Sequence, residues 1–194
     1  GLQRLIEAED WDEAATQIAH CAPRYVADGR LQALRQHLDA LPAAASELLA
    51  YWRGVCALDA APAAALADIR LAAAAATDAD ALLAAAAGAA TALVATGRVA
   101  ELDPWIDMLT THADAALAAG DADTEMRLVP GLLAALIYRQ PWHALAEPLA
   151  ERAERLLHDE SAAGQRQLMG ALVFHLLWRG HVDRLERIVL RIDA

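Results

Sequence analysis

The stretch GRVAELDPWI, residues 97–106, sets the pattern that decides the fold. It consists of a glycine, a polar residue and then apolar residues at helical spacing, Val99, Leu102 and Ile106. Glycine is typical of the position just after a helix, and apolar residues three or four apart are typical of a helix that packs on one face. The stretch therefore predicts the end of one helix and the beginning of the next.

The same order of residues occurs twice more, at Gly29-Arg30-Leu31 with Leu34 and Leu38, and at Gly180-His181-Val182 with Leu185 and Val189. The first two glycines are 68 positions apart, which equals two tetratricopeptide units of about 34 residues. The third follows after 83 positions, which does not fit this period. Because one helix pair cannot bury its apolar face alone, we expect an α-α superhelix of stacked antiparallel helix pairs, tetratricopeptide-like, with a concave surface.

Composition favours a single all-α domain over residues 1–194. Hydrophobic residues make up 57% of the chain, Ala, Leu, Arg and Glu dominate, and β-branched residues are sparse, which favours helices almost everywhere. The formal net charge is −11, and all 16 basic residues are arginine. Nucleic-acid binders need clustered positive charge, so we expect no direct nucleic-acid contact.

We expect neither a secretory signal nor a membrane span in this sequence. The longest weakly polar run, residues 81–95, is shorter than the roughly 20 residues that span a bilayer, so we expect no membrane partner. Two cysteines, Cys21 and Cys56, do not make a disulfide framework, and no secretory signal is evident, which indicates a cytoplasmic protein. The first residue is Gly1 rather than Met, so the chain is interpreted as an excised piece of a larger protein.

Capping residues and helix breakers divide the chain into about ten helices. The predicted helices run over residues 11–27, 31–41, 46–58, 62–76, 78 or 80 to 96, 104–119, 124–139, 141–158, 162–179 and 181–192. Asp10, Ser46, Asp103, Asp123 and Ser161 are the expected N-caps. Proline removes one helical hydrogen bond, so Pro130 and Pro148 are expected to interrupt their helices.

The alanine-rich run from Ala84 to Ala90 is expected to lie at the centre of the stack, because small side chains allow close helix approach. The alternative is that the alanines reflect codon bias alone.

No combination of residues indicates catalysis, a metal site or a cofactor. The seven histidines show no HExxH motif, and the cysteines show no ligand spacing. Ser46 and Ser161 are explained as helix caps, and no GxSxG motif occurs. We therefore expect that the chain is not an enzyme.

In stacked helix pairs, the first helix of each pair is expected to line the concave surface. The predicted first helices are residues 46–58, 80–96, 124–138 and 162–178. Aromatic and arginine residues on these helices and just beyond them are candidates for that surface. Such residues are favoured in contact hot spots, and several arginines in one concavity would select an anionic effector or an acidic peptide. Alternatively, the aromatic rings fill the core and nearby carboxylates pair with the arginines. The candidate binding residues are Tyr51, Arg53, Arg127, Tyr138, Arg139, Trp142, His175 and Arg179.

Several segments resemble the helical-repeat region of MalT-like, LuxR-type bacterial transcription regulators of the signal-transduction ATPase class. The matching residues are Trp11-Asp12-Glu13-Ala14-Ala15, Gly29-Arg30-Leu31 with Leu34, Leu38 and Leu41-Pro42, Leu49-Ala50-Tyr51-Trp52-Arg53-Gly54, and Asp103-Pro104-Trp105-Ile106. The chain contains no lysine, so the GxxxxGK[ST] phosphate loop of such an ATPase module cannot occur in it.

The resemblance implies a non-catalytic sensor or protein-interaction domain that binds an effector or a partner protein. Two alternatives remain open: a purely structural spacer without a specific ligand, and an unrelated helical-bundle enzyme. Several exposed aromatic residues on the concave side would favour binding over the spacer.

Overall fold

The computed structural model describes residues 2–43, 45, 49–118, 122–159 and 162–192. Within these ranges the chain forms eleven α-helices with defined bounds, one short 3-10 helix at Val99–Glu101, and no strand, so the all-α prediction is confirmed. The helices are α1 Leu2–Glu7, α2 Trp11–Ala27, α3 Leu31–Asp39, α4 Ala50–Ala57, α5 Pro62–Ala75, α6 Ala79–Ala95, α7 Asp103–Ala118, α8 Ala122–Arg139, α9 Ala146–Asp159, α10 Ala162–Arg179 and α11 Val182–Ile192.

The three repeated glycines all end helices by the same geometry. Gly29, Gly97 and Gly180 have φ values of 68°, 71° and 74°, a left-handed conformation that glycine adopts without a steric penalty. The next amide in each case donates to the carbonyl five residues back, for example from Arg98 to the oxygen of Leu93 at 2.9 Å. This bond is the signature of a Schellman helix end, so the repeated motif is a helix stop followed by a helix start.

Aspartates begin two of the longer helices. The Asp78 carboxylate accepts a hydrogen bond from the Ala81 amide at 2.8 Å, and Asp10 accepts one from Glu13 at 3.5 Å. Both bonds satisfy amides that the first turn leaves without a helical partner.

Helices adjacent in sequence contact each other along the stack, and alternate helices also touch. Helix α6 contacts α5, α7 and α8, and α8 in turn contacts α7, α9 and α10. Helix α10 also touches α2, so the first and last parts of the chain meet. The alanine helix α6 is buried around most of its circumference, as expected, since Ala85, Ala86, Ala89 and Ala90 are at most 1% exposed.

Buried side chains form two separate clusters. The smaller cluster joins α2 and α3 and extends to Leu49. The larger cluster extends from Leu58 to Ile188 and contains α6 and α8. Cys21 and Cys56 are free thiols.

Several predicted helix boundaries need correction. No helix begins at Pro141: residues 141–145 form turns, in which the Ala146 amide donates to the His143 carbonyl at 3.0 Å. Helix α9 therefore begins at Ala146, and Pro148 lies in its first turn. Amides in the first turn make no helical hydrogen bond, so a proline there does not interrupt the helix. Helix α8 continues through Pro130.

The remaining differences are small. Asp123 lies inside α8 rather than capping it, and Asp103 is the first residue of α7. The helix that begins at Leu31 ends at Asp39, ahead of Pro42. The predicted caps Ser46 and Ser161 lie outside the described residues.

Candidate functional site

One cavity of about 240 Å³ is lined by residues of α6, α8 and α10 together with Leu58 and Asp59, which directly follow α4. The helices involved alternate along the chain, and they correspond to the segments expected to line a concave surface. Its lining residues include Asp59, Ala95, Ala134, Tyr138, Gly170 and Phe174.

The cavity lies near the carboxyl ends of α4 and α6, beside the second half of α8 and beside the middle of α10. Residues early in α6 and α8, such as Leu83 and Thr124, line a second cavity of about 10 Å³, whereas late residues such as Ala95 and Tyr138 line the large one. Corresponding ends thus lie side by side, so α6 and α8 run in the same direction. Between these ends the helices are in close contact, because a Cβ placed on Gly131 would lie 2.2 Å from the Ala87 carbonyl oxygen.

Two aromatic rings lie at the large cavity. The Tyr138 and Phe174 ring centroids are 5.8 Å apart at a tilted angle, and the residues are 43% and 53% exposed. Phe174, Leu177 and Trp178 are spaced as one helical face, and all three are more than half exposed. An apolar stripe therefore begins in the cavity and continues along α10.

Tyr138 is among the binding residues predicted from the sequence, whereas Phe174, Gly170 and Asp59 are not. The spacing of Gly170, Phe174 and Trp178 on one face of α10 is a sequence signal for the first two, whereas no such pattern marks Asp59.

Tyr51 and Arg127, from α4 and α8, are electrostatically coupled. Burial raises the pKa of Tyr51 to about 12, and the positive charge of Arg127 partly opposes this shift. Arg127 lines only the 10 Å³ cavity, which has room for about one water molecule. These two residues lie toward the opposite end of the helices from the large cavity.

Two candidate arginines form ion pairs with carboxylates distant in sequence. Arg53 donates to Asp68 at 2.7 Å, and Arg139 donates to both carboxylate oxygens of Asp103 at 2.8 and 2.6 Å. The bidentate bond from Arg139 lowers the pKa of Asp103 below its usual value, and it outweighs the opposing effect of desolvation. Among the described lining residues of the large cavity there is no arginine.

Trp142 and Arg179 come together outside the cavity. The Arg179 guanidinium carbon lies 5.1 Å from the centroid of the Trp142 ring, which is cation–π geometry. Trp142 is 76% exposed and Trp178 is 67% exposed. The alternative that these rings and Tyr138 fill the core is therefore wrong.

His175 belongs to a charged cluster that joins three helices. It is 2% exposed, and its Nε2 lies 2.9 Å from Glu147 of α9. Glu147 also accepts a hydrogen bond from Arg184 of α11, which in turn bonds Glu154 at 2.8 Å. Burial raises the pKa of Glu147, but the bonds from Arg184 and His175 outweigh it and bring the pKa down to about 2. These paired groups therefore connect α11 to α9, and α9 to α10.

No group of three or more potential metal ligands occurs among the described residues. In the same part of the chain, no helix has the length and apolar character needed to cross a membrane. The candidate site is therefore the cavity of about 240 Å³ with the Tyr138–Phe174 aromatic pair beside it.

Comparisons with protein-family models, with curated proteins and with solved structures find no match to this chain.

Proposed function

We propose that this chain is a non-catalytic interaction domain that binds a segment of a partner protein in the cavity lined by α6, α8, α10 and the residues that follow α4. One observation carries the proposal: Tyr138 and Phe174 are half exposed at a cavity with otherwise mainly small or apolar walls. A spacer that binds nothing would have a lining of Ala, Glu and Arg, because exposing large aromatic rings to water is unfavourable.

We also propose an arrangement of the helices, a location in the cell and a class of protein for this domain. The stack is a tetratricopeptide-like superhelix, and its alternate helices α4, α6, α8 and α10 are the first helices of each pair. The domain acts in the cytoplasm as the sensor region of a bacterial regulator of the MalT-like, LuxR-type class. Support comes from the contacts between alternate helices and from the residues that resemble that class, such as those at 11–15 and 49–54.

The anionic effector expected from the arginines finds no support at this cavity. Arg53 and Arg139 pair with carboxylates, and Arg127 lies at the small cavity. The spacer remains the second candidate function, favoured by the alanine content of α6.

The test begins with selection of random peptides on the immobilised chain. Gly170→Trp and Ala95→Trp fill the cavity from opposite walls, and a Cβ on Gly170 has no neighbouring atom within 4 Å, so the backbone need not move. We expect both variants to bind the selected peptides at least about tenfold more weakly than the wild type. Gly170→Ala, which leaves the cavity open, should retain their affinity.

Failure to enrich any peptide would favour the spacer. Equal affinity for the wild type and both tryptophan variants would exclude this cavity as the binding site.

A further inference from the structure

Arg179 is an exposed arginine whose side chain is held by an aromatic ring. Its guanidinium carbon lies 5.1 Å from the centroid of the Trp142 ring, and Trp142 is itself 76% exposed. A cation–π contact restrains the guanidinium group without giving its N–H groups an oxygen acceptor. Those N–H groups are the part of an arginine that binds a carboxylate through two parallel hydrogen bonds.

The described part of the chain gives Arg179 no carboxylate partner. Every side chain of residues 124–157 and 168–190 is described, and these ranges include all residues within two helical turns of Trp142 and of Arg179 along the chain. Within them, Arg179 makes the contact with Trp142 and no ion pair. Its N–H groups are therefore available to a ligand.

The acidic residues nearest to Arg179 in sequence do not compensate its charge. Glu147 bonds His175 and Arg184 instead, and Asp183 is exposed on α11 without an ion pair among the described residues. The carboxyl end of α10 carries only about half a negative charge, and amides of the two following residues already donate to its carbonyls. The full positive charge of the arginine exceeds this effect.

This arginine lies at one end of an aromatic surface that begins at the large cavity. Tyr138 and Phe174 contact each other at the cavity, and Trp142 and Arg179 contact each other four and five positions later in the chain. Trp178, which is 67% exposed, lies one helical turn beyond Phe174. Since a helix rises about 1.5 Å per residue, Arg179 is roughly 7 to 8 Å along α10 from Phe174. A segment bound in the cavity thus reaches Arg179 within a few residues.

We propose that the partner segment places an apolar side chain in the cavity and an aspartate or glutamate side chain on Arg179, with Trp142 holding the guanidinium group in position. Apolar residues of the segment between these two points contact Phe174 and Trp178. Because the whole chain has a net charge of −11, it would repel a nucleic-acid backbone or a long acidic run, so the segment carries few acidic residues. This inference rests on the proposed function and specifies the chemistry of its partner.

The experiment uses the peptides selected on the wild-type chain whose binding Gly170→Trp abolishes. We expect each to contain an aspartate or glutamate within about four residues of an apolar one, because an extended chain rises about 3.3 Å per residue. Replacing that acid by its amide should weaken binding about fivefold. Arg179→Gln should weaken binding of the acidic peptide about fivefold and leave binding of the amide peptide unchanged.

Arg155→Gln is the matched control, since it removes another exposed arginine without a carboxylate partner among the described residues, in the second half of α9. It should leave both affinities unchanged. Peptides that bind in the cavity without an acidic residue, or an Arg179→Gln effect that is the same for both peptides, would overturn the inference and leave the proposed function intact. If no selected peptide is sensitive to Gly170→Trp, the proposed function itself fails.

Discussion

At Gly131, α8 lies directly against the backbone of α6, and the missing side chain is what allows that distance. A Cβ there would lie 2.2 Å from the Ala87 carbonyl oxygen, and 2.9 Å from the Ala87 Cα. These atoms are backbone in the middle of a buried helix, so they cannot rotate away as a flexible side chain could.

We therefore expect Gly131→Ala to lower the free energy of unfolding by about 1 to 3 kcal/mol, the range found for overpacked cores. Gly170→Ala is the matched control, because its Cβ meets open space and it exchanges glycine for a better helix former. That control should gain about 0.5 to 1 kcal/mol. Urea unfolding of both variants measures the difference, and equal stability of the two would contradict the close contact.

Glu147 controls how α11 is held at low pH. Its pKa is about 2 in the folded protein, whereas the usual value is 4.5, so its carboxylate stabilises the fold fully above about pH 5. As the pH falls toward 2, protonation removes the bonds to Arg184 and His175, and that stabilisation is lost.

We expect Glu147→Gln to cost about 1.5 to 3 kcal/mol at pH 7, the range for hydrogen bonds to charged groups. The variant should also lose less stability than the wild type between pH 5 and pH 2. Glu151→Gln, an exposed position on the same helix, serves as the control. Parallel pH profiles for the wild type and Glu147→Gln would show that another group carries the dependence.

At the scale of elements, helix α6 consists mostly of alanine and lies against α5, α7 and α8. Ala87 is only 1% exposed, and α8 lies directly against it. Replacing it by Leu adds three carbon atoms where there is no free space. We expect a loss of about 1 to 3 kcal/mol and a lower thermal midpoint. An unchanged midpoint would favour codon bias as the reason for the alanines.

Helix ends were predictable from the sequence where the signal is local. The repeated glycines mark true helix ends because a left-handed residue is a property of the backbone at one position, as at Gly97. The prediction that a helix begins at Pro141 was wrong, because proline is favoured both in turns and in the first turn of a helix. The surrounding hydrogen bonds of residues 140–146 decide between them.

The site was only partly predictable, because its character depends on residues distant in sequence. Tyr138 was identified, but Phe174 reaches it from a different helix. Arg139 was expected to be available for a ligand, yet Asp103 binds it from 36 positions away. Helical periodicity shows which residues share one face of a helix, but it does not show which faces of different helices pack against each other.

At the scale of the whole molecule, the two buried clusters differ greatly in size. The cluster of α2 and α3 contains few buried residues, whereas that of α4 to α11 contains most of the large ones. Local opening costs less where fewer apolar contacts must be broken. We expect backbone amides of α2 and α3 to exchange with deuterium faster than those of α6 and α8, and uniform protection would show that the two clusters unfold together.

The proposed function requires that residues of α6, α8 and α10 form one binding site. Amide exchange of the chain with and without a peptide selected on it tests this directly. We predict added protection or altered exchange at residues 91–95, 134–138 and 170–178 together, and little change at residues 80–84 and 124–128. Protection confined to one helix, or concentrated at those opposite ends, would contradict it.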